Sequence, residues 1–305
     1  MDVLHTPLWR LEIMAVIMKI RYICRKRQAR LKTLLAVLTY VASLVAIGRK
    51  GRALASFFWY ARLLDRTTDG EQAPLTLTLS QYLSHRERLL ESIATRHIAN
   101  DLLDEDWLLV HVIVYQRTLG KDSIPSLVEM GNAFLTDAAR YCDGKTFPTI
   151  DQVRSIRTAI RLFLVLALEL VGSKANDARA FAGSFEPLLF EADNLADFLH
   201  DVQAELINEP REDLENAGVA TEKLMYCRSW HELNAVPGFS AWYERRVSAC
   251  RSTWEYANPL LTCQLQSCVK SRILRKPFEK LVAKVDRWLN ECSQRVNEIK
   301  STAPQ

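Results

Sequence analysis

Glycine and proline are scarce in this chain, ten of each among 305 residues, and no linker, low-complexity tract or internal repeat divides it. The expectation is one domain over residues 1–305, with a basic N-terminal stretch at 1–32 and a polar tail at 301–305. Paired cysteines are lacking as well. Cys24, Cys142, Cys227, Cys250, Cys263, Cys268 and Cys292 are odd in number and form no C-x-x-C, so they carry no metal-ligand spacing and fit the reduced thiols of a cytoplasmic protein. Long apolar runs are missing too. Leu34–Ile47 comes nearest, but it is short for a bilayer and holds Thr39, Tyr40 and Ser43, so it reads as a buried helix. The N-terminus sets apolar residues ahead of Arg25-Lys26-Arg27, the reverse of a secretory leader's order.

What is present is core and uneven charge. A hydrophobic fraction of 49% with 25% charged residues is that of a globular protein, not a disordered chain. Residues 1–70 hold thirteen Lys/Arg against four Asp/Glu, about +9, and the remainder is slightly acidic. That asymmetry suits an anionic ligand or an anionic membrane surface; no nucleic-acid motif accompanies it, and nucleic acid is not an expected partner. Residues 8–31 read as a helix with a basic second half, either a solvated face or a peripheral membrane contact.

Helical periodicity then recurs with no convincing run of alternating strands, which makes the fold class all-α. The spacing predicts helices over 33–47, 53–68, 79–99, 105–118, 124–142, 150–171, 176–208, 219–235, 240–261 and 276–300, broken at Gly48, Gly70, Gly120, Gly144, Gly172, Pro210, Pro237-Gly238 and Pro259. His111, in the apolar run Val110–Val114, reads as a core histidine rather than a catalyst.

The chemistry concentrates in acids. From Glu191 to Glu205, a helix sets Asp193, Asp197, Asp201 and Glu205 one turn apart, interleaved with Leu195, Phe198, Leu199 and Val202. Like charges at that spacing cost roughly 0.2–0.5 kcal/mol per pair in an isolated helix unless a cation sits against them. Four residues advance the ridge by about 40°, so four acids do not all face one point. Asp197, Asp201 and Glu205 are taken as the set, with Asp193 peripheral. Asp65 and Asp69 form a second pair near the C-terminus of the 53–68 helix, where the dipole disfavours anions. Two such pairs are what a trinuclear Mg²⁺ and diphosphate site requires, since Mg²⁺ takes one or two carboxylates and completes its octahedron with water and phosphate oxygens. The organic product of diphosphate loss is an allylic cation, which needs an apolar, aromatic-lined cavity. Phe57, Phe58, Trp59 and Tyr60 lie just ahead of the first pair; Phe58, Tyr60 and Phe198 are the expected lining.

At this point the chain resembles the squalene/phytoene synthase-like branch of the isoprenoid synthase superfamily, over roughly residues 33–220. Thr39-Tyr40-Val41-Ala42-Ser43, followed by Arg52, is similar to that family's diphosphate-contacting stretch, which implies such roles for Ser43 and Arg52. Tyr60-Ala61-Arg62-Leu63-Leu64-Asp65-Arg66-Thr67-Thr68-Asp69 resembles its first aspartate-rich motif, with Arg62 as the preceding arginine. Asp197-Phe198-Leu199-His200-Asp201-Val202-Gln203-Ala204-Glu205, continuing through Pro210 to Val219, resembles the second. The departures are specific. Arg66 stands where a second acid is usual, Asp197 where Asn or Gln is common, and His200 where Arg precedes the second Asp. Leu206-Ile207-Asn208-Glu209-Pro210 replaces the Gly-Arg-x-Tyr-Leu-Pro signature of head-to-head synthases. Ser155–Arg161 replaces the small-residue helix beside the reacting chains. Arg157 or Arg161 there intrudes on a cavity for two prenyl chains; it either grips diphosphate or belongs to an ordinary basic stripe with Arg154.

The resulting expectation is a Mg²⁺-dependent class I terpene synthase on an isoprenoid synthase-like helical bundle, ionising farnesyl or geranylgeranyl diphosphate and cyclising or rearranging the cation. Asp65, Asp69, Asp197, Asp201 and Glu205 hold three Mg²⁺; Ser43, Arg52, Arg62 and Arg161 contact diphosphate. The alternatives are a head-to-head transferase joining two prenyl diphosphates, and a non-catalytic relative acting as a scaffold or assembly factor.

Overall fold

The computed structural model describes residues 3–26, 48–64, 67, 77–98 and 102–302. Among them there is no strand. A 3₁₀ turn at Val3–His5 precedes α1 (Leu8–Lys26), α2 (48–64), α3 (Leu79–Ala94), α4 (Asp106–Thr118), α5 (Ile124–Cys142), α6 (Ile150–Leu170), α7 (Ala175–Gln203), the short α8 (Arg211–Asn216), α9 (Thr221–Leu224) and α10 (Trp230–Ala235), then α11 (Phe239–Cys268) and α12 (Arg272–Thr302). By contact the chain divides into two compact units, one of residues 1–135 and 165–175, the other of 136–164 and 176–305. The expected buried helix Leu34–Ile47 lies outside the described residues, and no described helix is long and apolar enough to cross a membrane.

In the first unit α1 packs on α4. Leu108 through Gln116 are all buried, so α4 is enclosed on every side, as an apolar helix with little amphipathic asymmetry should be. From α2 come Ala53, Leu54, Phe57, Tyr60 and Leu64, spaced by three and four residues on one face. One buried ion cluster is fully furnished with donors: Asp106 accepts from His85 Nε2 (2.8 Å), from Arg86 and from the Leu103 amide (2.7 Å). Three donors around one carboxylate offset the cost of burying its charge.

In the second unit α11 and α12 run along one another. Phe198 of α7 meets Phe239 and Trp242 of α11 at 5.3 and 5.1 Å between ring centroids, and Trp230 meets Tyr243 at 5.2 Å. These spacings suit tilted aromatic pairs. Tyr243 Oη donates to Leu195 O (3.1 Å) and Arg295 Nη1 to Ala196 O (2.8 Å), so two donors grip the C-terminal half of α7. Gly238 opens α11 at φ +79°, and a Cβ there would stand 2.0 Å from the Gly218 carbonyl oxygen, so only glycine fits.

Several helix limits differ from the periodicity. The expected 219–235 helix is two short pieces, because Ser229 caps a new start by accepting from Glu232 N (3.2 Å). The break expected at Pro259 does not occur; α11 runs through it to Cys268. α12 starts at Arg272 rather than Lys276, capped by Ser271, whose Oγ accepts from Leu274 N at 3.4 Å.

Candidate active-site residues

α7 carries the acids. Asp193, Asp197 and Asp201 follow one another at single-turn spacing along it, but the helix stops at Gln203 rather than Asn208. Glu205 is therefore not on the ridge. It adopts φ +59°, with Leu206 N bonded to Asp201 O (2.9 Å) and Glu205 N to Val202 O (3.2 Å), the two bonds of a Schellman closure. The helical placement on which Glu205 was read as a ligand is corrected: it is the exposed left-handed cap that ends α7.

Asp201 is the focus of the remaining ridge. Burial, then the charges of Asp197 and Asp193, push its carboxyl up to about 8, against the opposing pull of Asn208 and Arg140. Asp193, read from the sequence as peripheral, is thus one of the two carboxylates pressing on Asp201. Asn208 Nδ2 donates to Asp201 Oδ2 at 3.1 Å, and Asn208 Oδ1 accepts from Arg140 Nη2 at 2.9 Å. Arg140 is buried and also reaches Asp137 Oδ1 (3.0 Å) and Ile207 O (2.7 Å). The guanidinium thus holds Asn208, and Asn208 holds Asp201. Sequence reasoning missed both residues; the only signal was an arginine amid the alanines and apolar residues of α5.

Beside the ridge, Arg246 makes a two-pronged pair with Glu191 (2.5 and 2.6 Å) and meets Glu209 at 2.9 Å. Burial above all pushes Glu209 up to about 7, with Arg246 pulling the other way. Arg161 Nη2 and Arg157 Nε both donate to the fully buried Glu186, at 2.9 and 2.7 Å, while their side chains remain about half exposed. Two cations on one anion leave a net positive charge that can meet an anionic group. Phe198 is buried in the ring cluster of the second unit.

In the first unit Arg52 is half-buried and donates to Glu12 Oε1 at 3.1 Å, and Arg62 is exposed on α2. Tyr60 is buried, and burial above all pushes its hydroxyl up to about 12; Phe58 is half-buried. Ser56 Oγ and His111 Nδ1 are 2.9 Å apart, which places His111 in the core as read. Asp65, Asp69 and Ser43 lie outside the described residues.

Among the described residues no three His, Cys, Asp or Glu side chains gather as a metal cage. Mg²⁺ does not require one, because it binds through one or two carboxylates with water and phosphate completing the shell. Asp201 is half-buried and its ionisation is opposed by Asp197 and Asp193; a cation beside it would favour the ionised carboxylate, so Asp197 and Asp201 fit such an ion.

These elements define an all-α fold of the squalene/phytoene synthase-like kind. The chain is similar to the crystal structure of squalene synthase HpnC from Alicyclobacillus acidocaldarius, with a TM-score of 0.57 over 81% of this chain and 85% of that one, at 16% sequence identity. No family model matches the chain, and no curated protein matches it in sequence.

Proposed function

We propose that this chain is a Mg²⁺-dependent class I terpene synthase that ionises a farnesyl or geranylgeranyl diphosphate and cyclises or rearranges the cation. The observation that carries the reading is the Asp193, Asp197, Asp201 ridge, with Asp201 driven up to about 8, in a chain that has a squalene synthase-like fold. Asp197 and Asp201 are the ligands proposed from α7, and Asp65 and Asp69 those from the first acidic pair. When bound, Mg²⁺ would draw charge from the departing diphosphate and so lower the barrier to ionisation. Arg161, paired with Arg157 on Glu186, supplies positive charge to the diphosphate oxygens. Ser43, Arg52 and Arg62 are further proposed contacts; Arg52 must share its guanidinium between Glu12 and the anion. Asn208 keeps an oxygen of Asp201 fixed, which limits the reorganisation needed on binding.

A second reading, head-to-head joining of two prenyl diphosphates, is favoured by the solved structure to which the fold is similar, a squalene synthase. Purified protein incubated with Mg²⁺ and farnesyl or geranylgeranyl diphosphate, with products read by gas chromatography and mass spectrometry, separates the two. Products that keep the substrate's carbon count support cyclisation; a doubled count supports the transferase. No product from either substrate contradicts both and favours a non-catalytic scaffold.

A further inference from the structure

The N-terminal helix has an apolar face that packing leaves uncovered. α1 buries Leu11 and Ala15, yet Trp9, Ile13 and Ile17 remain 62%, 50% and 44% exposed. At four-residue spacing these three share one side of the helix, a stripe about 12 Å long. Ile13 stands about 200° round from Leu11, so the stripe faces away from the core. Clustered exposed side chains of this size mark an interaction surface rather than scattered surface apolarity.

Charge identifies the occupant. α1 carries Arg10, Lys19, Arg21, Arg25 and Lys26 against one acid, Glu12, and Glu12 is engaged by Arg52 at 3.1 Å. Apolar residues, an exposed tryptophan and surplus positive charge on one helix match the headgroup region of an anionic bilayer. A second copy of the chain is disfavoured there, because it would bring two basic helices together. α1 itself is not long and apolar enough to cross a membrane, so attachment through it would be by lying on the surface.

We propose that α1 is a peripheral anchor for membranes containing anionic phospholipid, with Trp9, Ile13 and Ile17 inserted at the acyl boundary. The proposal stands on α1 alone and does not depend on the prenyl diphosphate reading.

The full chain is sedimented with vesicles of phosphatidylcholine and phosphatidylglycerol in equal parts, and with phosphatidylcholine alone. The anionic vesicles are expected to retain the protein, less strongly as salt is raised. The triple variant Trp9→Ser/Ile13→Ser/Ile17→Ser is expected to bind at least about tenfold more weakly, with its melting temperature unchanged. Should that variant fail to fold, Arg21→Glu/Arg25→Glu supplies the same test through charge alone. Wild-type protein that ignores anionic vesicles overturns the proposal, as does a folded variant that binds like wild type. A triple variant that turns a dimer into a monomer, with no vesicle binding by the wild type, assigns the stripe to self-association and overturns it equally.

Discussion

Glu205 occupies a backbone conformation that glycine adopts at no steric cost. At φ +59° a side chain costs about 1 kcal/mol relative to glycine, so Glu205→Gly is expected to raise the unfolding free energy by about that much in urea titration, with the m-value unchanged. Diphosphate release should be untouched in that variant, and a loss of turnover would return Glu205 to the ligand set. His111 offers a second residue-scale test. Burial, and after it the positive Arg52, holds its imidazole down at about 4. A depressed histidine is neutral in the fold and must be protonated in the unfolded chain first, near 6.5. Its contribution is therefore complete above pH 6.5 and is lost as pH falls from there through 4, about 3 kcal/mol in all. Urea unfolding between pH 7 and pH 4 should show that loss in wild type and a smaller one in His111→Gln. The burial of His111 was legible from the apolar run around it. The Glu205 turn was not, because the residue usually marking such a turn is glycine and none stands there.

At the scale of elements, periodicity located the long helices well and their ends less well. Ile124–Cys142 falls where its apolar spacing predicts. Pro259 misled because it sits on an exposed stretch of α11, where one lost backbone bond does not end a 30-residue helix. Ser271 explains the early start of α12: a hydroxyl in the cap position outweighs a proline five residues into the helix. The ridge itself was visible as acids at four-residue spacing, but its membership depended on where α7 stops. Because α7 ends before Glu205, the acids that follow one another along the helix are Asp193, Asp197 and Asp201, and Asp197 and Asp193 are the two that bear on Asp201. Arg140 and Asn208 lie 61 and 7 residues from Asp201, and the bonds that join them are made by tertiary packing rather than by any local pattern. No spacing rule reaches such a pair.

At the scale of the whole molecule, the all-α class and the squalene/phytoene synthase-like fold were legible from three short motifs in order, and the likeness to squalene synthase HpnC agrees with them. The choice between cyclisation and condensation is of another kind. It turns on the volume and shape that a few side chains leave around the cation, and on residues such as Arg157 and Arg161, whose partner Glu186 lies 29 and 25 positions away. The first acidic pair, Asp65 and Asp69, remains a proposal drawn from sequence. The central claim is that Asp201 serves Mg²⁺-dependent departure of diphosphate, and the most direct measurement is the rate of inorganic diphosphate release from farnesyl or geranylgeranyl diphosphate. Wild type should release it only with Mg²⁺, and Asp201→Ala should lower the rate by about 100-fold or more while remaining folded by circular dichroism. Release at the wild-type rate from folded Asp201→Ala, or release that ignores removal of Mg²⁺, would contradict the account.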